Sequence, residues 1–148
     1  MKINKMKKIA VPYDGSSCSK HAFQMALNLA QKYKSELILI TCIEKLNGSW
    51  FGQDLSPSYQ KDVKKHEVII KKEISKLKLD AKKNKVQLSS KLFVTDSTVN
   101  QILSFTKSKK IDMIVMGSHG RRGINKLILG SVANGIVQMS KIPVLIIK

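Results

Sequence analysis

The chain has 148 residues, 43% hydrophobic and 25% charged, enough to enclose one apolar core and unlike a disordered or fibrous polypeptide. Its 27 lysines and arginines against 10 acidic residues give a formal charge of +17, which favours contact with polyanions. The excess is almost wholly lysine, spread along the sequence without interleaved aromatics. A solvated basic surface is therefore the preferred reading, and nucleic acid a disfavoured partner.

The opening run MKINKMKKIAVPY is positively charged, but its apolar stretch is too brief for a signal-peptide core. No run approaches the roughly 18 apolar residues that span a bilayer, so a cytoplasmic protein with no membrane contact and reduced thiols is expected. KIAVPY reads as a buried strand stopped by Pro12, and the serines of DGSSCS can cap a helix. Ala22, Met25, Ala26, Leu29, Ala30 and Tyr33 recur at helical spacing, which predicts a helix from Ser17 to Tyr33. ELILITCI, residues 36–43, is continuously apolar, as a strand covered on both faces should be.

Residues 44–58 carry Gly48, Gly52 and Pro57 without any period and read as a long surface loop, with Trp50 and Phe51 packed onto their own domain in preference to forming a lid or a partner contact. From Tyr59 to Asn84, one face bearing Val63, His66, Ile70, Ile74, Leu77 and Ala81 opposes a lysine face, which predicts a long helix with His66 partly buried. VQLSSKLFV, residues 86–94, is a third strand. DSTVNQILSFTKSKK opens with a capping signal and gives a helix through Val99, Ile102, Leu103 and Thr106. DMIVMG is a fourth, wholly apolar strand. After Gly130 and Ser131, the positions Val132, Ala133, Ile136, Val137 and Ser140 trace a fourth helix, Pro143 follows it, and VLIIK is a fifth strand.

Alternating strands and helices with apolar strands indicate an α/β sandwich of one domain, residues 1–148, with a mainly parallel sheet and helices on both faces. In such sheets ligands bind beyond the carboxyl ends of the strands, where the chain order reverses. PYDGSS, TCIE and GSHG all fall at strand ends, so they should converge on one pocket. Cys18 and Cys42 form no CxxC, and His21, His66 and His119 lack zinc-ligand spacing, so no metal site built from side chains is expected.

The segment MGSHGRRGINKLILGS, residues 116–131, holds four of the eight glycines and both arginines. Gly117 and Gly120 allow close backbone approach to a ligand, while Gly130 and Ser131 open a helix whose free N–H groups suit an anion. The alternative is that these glycines serve only turns and caps. Neither G-x-x-x-x-G-K-[ST] nor G-x-G-x-x-G is present.

Gly117-x-x-Gly120, nine residues, then Gly130-Ser131 resembles the G-2x-G-9x-G-[ST] signature of the ATP-binding universal stress protein family. VPYDGS and GSVANGIVQMSKIPVLIIK are similar to the same family, and the likeness extends over essentially the whole chain. It implies a Rossmann-like three-layer fold of the adenine nucleotide alpha hydrolase type, with five parallel strands in the order 3-2-1-4-5. It further implies ATP bound at the strand ends. Pro12 and Asp14 would border the adenosine, with the Asp14 carboxylate near the ribose, and Cys42 would present its backbone to the adenine edge. Met116, Gly117, His119 and Gly120 would wrap ribose and phosphates, while Gly130, Ser131 and Val132 would hold the phosphate chain, on which Mg²⁺ would arrive. The family also implies a two-fold homodimer through the C-terminal edge strand.

Two departures stand out: TDSTVN replaces the glycine and proline that many relatives have before the third helix, and Ala133 offers no hydroxyl. His119, Arg121 and Arg122 are the nearby candidates for phosphate chemistry, but no acid/base pair is specified by spacing. The expected role is a nucleotide-dependent stress-response switch or sensor, read by a protein partner not yet identified, with little or no turnover. A slow ATPase or phosphotransferase and a basic nucleic-acid-associated stress protein are the alternatives.

Overall fold

The computed structural model describes residues 6–45, 57–121 and 128–148. Along the chain lie β1 (Lys8–Pro12), α1 (Ser17–Tyr33), β2 (Glu36–Glu44), α2 (Pro57–Lys83), β3 (Leu88–Thr95), α3 (Thr98–Ser108), β4 (Met113–Gly117), α4 (Ser131–Met139) and β5 (Val144–Ile147). All strand pairings are parallel, in the order β3-β2-β1-β4-β5. The nine expected elements are present in order, and the sheet has the predicted sequence of strands.

Boundaries shift for local reasons. Proline lacks an N–H and has a fixed φ, which suits a first helical turn, so α2 opens at Pro57. The third strand begins at Leu88 instead of 86 because the Val86 N–H closes the end of α2 onto the Ala81 carbonyl, at 2.9 Å. The loop glycines with Trp50 and Phe51 lie outside the described residues, as does Arg122. Serine capping follows the sequence expectation. The side chains of Ser16 and Ser97 accept the N–H groups of Ser19 and Asn100, at the starts of α1 and α3.

Strand alternation separates two apolar layers. Ile9, Val11, Leu37, Leu39 and Val115 face α1 and α2, where Phe23, Ile70 and Ile74 meet them. Ala10, Ile38, Ile40, Ile114 and Met116 face α3 and α4, against Ile102, Phe105, Ala133 and Ile136. Phe93 and Phe105 add an edge-to-face ring contact with centroids 5.5 Å apart.

Two predicted helix faces are corrected. Met25 is 41% exposed, whereas Phe23 and Leu27 are buried, so the stripe of α1 is centred on Ala22, Ala26 and Ala30 with those larger neighbours. On α4, Val137 is 46% exposed and the burial falls on Ala133 and Ile136, since this nine-residue helix turns only a narrow side to the sheet. Among the described residues no helix is long and apolar enough to cross a membrane.

Candidate functional site

β1 and β4 are neighbours in the sheet, and the chain order reverses between them, so their ends open a crevice at the switch point. Pro12 is the last residue of β1 paired with β2, opposite Ile40, and the next N–H, that of Tyr13, reaches the Ile40 carbonyl at 2.9 Å. Because main-chain groups alternate along a strand, Cys42 directs its N–H and C=O to the same side as Ile40, beyond the point where β1 has ended. Thr41, buried, ties this corner together by donating its hydroxyl to the Tyr13 carbonyl at 2.9 Å.

A cleft of about 620 Å³ results. Every residue expected at the site lines it: Pro12 and Asp14 after β1, Cys42 on β2, Met116, Gly117, His119 and Gly120 at and after β4, and Gly130, Ser131 and Val132 where α4 begins. The three strand-end segments that sequence topology predicted to converge therefore do so.

At one wall, Gly130 is the N-cap of α4 and has no side-chain cap of its own. Its N–H donates to the Ser118 carbonyl at 2.8 Å, and the first intrahelical bond from this turn is Asn134 N–H to the Gly130 carbonyl, also 2.8 Å. The N–H groups of Ser131, Val132 and Ala133 therefore have no intrahelical acceptor, and the first turn holds no acidic residue. A Cβ on Gly130 would stand 3.2 Å from the Ser118 carbonyl oxygen and 3.4 Å from the His119 Cα. Glycine here lets the start of α4 lie against the loop after β4, forming a concave floor of main-chain atoms.

Gly117 requires a correction. It lines the cleft, but its missing Cβ makes room for α1: a Cβ would be 2.7 Å from Cys18 Cβ and 2.8 Å from the Cys18 carbonyl carbon. The space left by that Cβ serves helix–strand packing, while the main chain of Gly117 lines the cleft. Gly15 has φ of 82°, in the left-handed region, and carries the sharp turn after β1.

Charged groups at the cleft mouth hold the loops to one another. The Asp14 carboxylate accepts the Ser16 N–H at 2.9 Å and the Arg121 N–H at 3.1 Å, so it fastens the β4–α4 loop as well as lining the cleft. Arg121 Nη1 donates to the His66 ring, 2.9 Å from Nδ1. Burial, then the neighbouring Arg121 guanidinium, hold the His66 imidazole below its usual pKa, in the neutral form that can accept this bond, although Asp14 and Glu73 oppose the shift. Ser118 Oγ and His119 Nδ1 are 2.9 Å apart. Burial above all, and then Glu44, push the Cys42 thiol up to about 11. The thiol is protonated at neutral pH, and its contribution to the cleft is main chain and bulk.

His66 and Thr98 also line the cleft without a signal for it in the sequence, while Glu44 and Ser118 enter it as members of the TCIE and GSHG segments. The helical spacing of α2 makes His66 a half-buried helix residue, but nothing local to α2 signals which loop it meets 55 positions away. Glu44 accepts the Thr98 N–H at 3.3 Å, so the end of β2 caps the start of α3. Among the described residues no three His, Cys, Asp or Glu side chains gather in a metal-binding group.

A model described as the universal stress protein family matches residues 5–148. Universal stress protein MJ0531 of Methanocaldococcus jannaschii is 30% identical over 154 residues, covering 98% of this chain and 84% of the relative. The structure of universal stress protein UspA from Lactobacillus plantarum aligns with a TM-score of 0.86 at 20% identity, over 97% of this chain and 98% of that one. A universal stress protein from Archaeoglobus fulgidus in complex with dAMP aligns at 0.66 and 18% identity, over 97% and 98% of the two chains. Another, in complex with cAMP, aligns at 0.65 and 22%, over 96% of each. A family match that omits only the first four residues, on a sheet of this order with its cleft at the switch point, makes this chain a member of the universal stress protein family.

Proposed function

We propose that this protein binds an adenine nucleotide, ATP foremost, in the switch-point cleft and acts as a nucleotide-dependent stress-response switch with little or no turnover. One observation carries the reading: main-chain groups of Cys42 without a β1 partner and the amides at the start of α4 line opposite parts of a single cleft. The first set suits the donor and acceptor edge of adenine. The second, with the dipole of α4 behind it, suits phosphate oxygens. The dAMP and cAMP complexes of the two family members support the choice of adenine.

The residues present fit such a ligand, because glycine at 130 lets the uncapped amides at the start of α4 lie directly beside the Ser118–Gly120 main chain on the cleft wall. Pro12 and Asp14 border the nucleoside, and Met116, Gly117, His119 and Gly120 wrap ribose and phosphates. Gly130, Ser131 and Val132 hold the phosphate tail. Magnesium arrives on the phosphates, in keeping with its retention of most of its waters.

Switching is favoured over catalysis because Asp14, His66 and Arg121 are engaged in holding loops in place. Nucleotide would favour one of two states of the residues lining the cleft, and a protein partner would read that state. The cytoplasm, which suits two unpaired cysteines, is the proposed setting.

Calorimetry with MgATP and MgGTP tests the nucleotide reading. ATP is expected to bind, GTP to bind at least about tenfold more weakly, and phosphate release to stay at background. Equal affinities would remove the adenine assignment.

The same reading includes a homodimer. β5 is a sheet edge paired only to β4, and its four residues are only partly buried. An exposed apolar edge of this kind seeks a strand partner. Light scattering is expected to give twice the 16.6 kDa mass of the chain, and a monomer at micromolar concentration would exclude it.

A further inference from the structure

Lysines that look scattered in sequence gather in space. Lys85 precedes β3, Lys34 precedes β2, Lys7 and Lys8 lead β1, Lys110 precedes β4, and Lys141 precedes β5. All strands are parallel, so these positions share the sheet edge opposite the cleft, in the spatial order β3-β2-β1-β4-β5. With neighbouring strands about 4.8 Å apart, they form a row of positive charge about 19 Å long.

The row keeps an excess of positive charge over the acids around it. Among the described residues the ion pairs are Lys20–Glu73 and Lys45–Asp96, neither of which uses a lysine of the row. Two half-buried acids lie at this end of the sheet: Asp112 accepts the N–H groups of Lys7 and Lys8 at 2.8 and 2.9 Å, and Glu36 accepts the Ser89 hydroxyl at 3.3 Å, so the lysines of the row outnumber them.

A second observation concerns the backbone. Lys34, Lys85 and Lys110 have φ of 56°, 56° and 53°, the left-handed conformation that glycine commonly supplies after a helix. Each follows the end of a helix, and in each case a strained lysine stands where glycine would relax the chain. The helix dipole favours lysine in the last turn, which accounts for Lys32 and Lys107. It does not account for Lys7 and Lys8, which lie outside any described helix.

We propose that this edge docks double-helical nucleic acid through its phosphates, without regard to base sequence. A duplex carries one charge per about 1.7 Å of axis, a linear array suited to a linear row of ammonium groups. Single-strand recognition needs open aromatic platforms. The aromatic at this edge, Tyr33, is half-buried and has Lys32 Nζ 5.8 Å from its ring centre. The surface is at the opposite end of the strands from the nucleotide cleft, so the two readings stand or fall separately.

Fluorescence anisotropy with a labelled mixed-sequence 20-base-pair duplex, titrated with KCl, tests the proposal. About one phosphate per strand position gives a slope of log K against log salt of about −4.5, an affinity loss of about 500-fold between 50 and 200 mM. The variant Lys34→Gly, Lys85→Gly, Lys110→Gly relieves backbone strain and is expected to fold, with the slope reduced to about −2. Asparagine at the same three positions, which also tolerates this backbone, gives the same readout should glycine loosen the helix ends. Lys61→Gln, Lys64→Gln, Lys72→Gln, three exposed lysines of α2, removes equal charge and is expected to leave the slope unchanged. An equal fall in both variants, an unchanged slope in the first, or binding to phosphatidylserine vesicles without binding to duplex overturns the proposal.

Discussion

An aspartate at Gly130 is expected to abolish ATP binding, raising Kd by about 100-fold or more, which corresponds to about 3 kcal/mol. Two effects act together. Aspartate is a good N-cap, and its carboxylate would accept from the free amides of the first turn of α4, satisfying the donors proposed for phosphate. The same carboxylate places negative charge where the helix end would otherwise attract an anion, and charge-assisted hydrogen bonds of the kind lost contribute about 1.5–3 kcal/mol. The new Cβ, 3.2 Å from the Ser118 carbonyl oxygen, asks the loop to give by a few tenths of an ångström, so the fold should survive. Gly130→Ala adds that Cβ without the charge and is expected to weaken binding by less than about tenfold, separating the steric part from the electrostatic one. Calorimetry on both variants decides the matter: equal ATP affinity in wild type and Gly130→Asp would place the phosphates elsewhere.

Patterns confined to a few neighbouring residues were legible in the sequence. Continuous apolar runs marked β2 and β4, Ser16 and Ser97 announced helix starts, and alternation with helices indicated the parallel sheet. The candidate cleft followed from topology plus the spacing of Gly117, Gly120 and Gly130, since strand ends must lie side by side in such a sheet. Relations that depend on how elements pack were not legible. Which side of α1 is buried turned on Phe23, a large residue one step from the alanine stripe. The bond from Arg121 to His66 joins residues on separate elements, and no local pattern encodes it. The lysine row is the clearest case: in sequence its members are far apart, and only the common starting edge of five parallel strands brings them into line.

Gly117→Ala is the second large effect expected, because the missing Cβ of this residue faces α1. The added methyl would meet Cys18 Cβ at 2.7 Å, the Cys18 carbonyl carbon at 2.8 Å and the Ser19 nitrogen at 3.0 Å. Two of these three are main-chain atoms in the first turn of α1, held by the Ser16 cap and by a Ser19 that is itself buried, so no flexible side chain can yield. Either α1 lifts from β4 or β4 shifts, and β4 is fixed on its far side by β5, where Gly117 pairs with Ile147. Overpacking of this kind costs about 1–3 kcal/mol, which for a chain of this length lowers Tm by roughly 4–10 °C. Cys18→Ala in the same background should not restore stability, because the crowded atoms are the Cβ and backbone of Cys18 and not its sulfur. Thermal unfolding of the single and double variants tests this. An unchanged Tm in Gly117→Ala, with ATP affinity lost, would return this glycine to the ligand-approach role first read from its sequence.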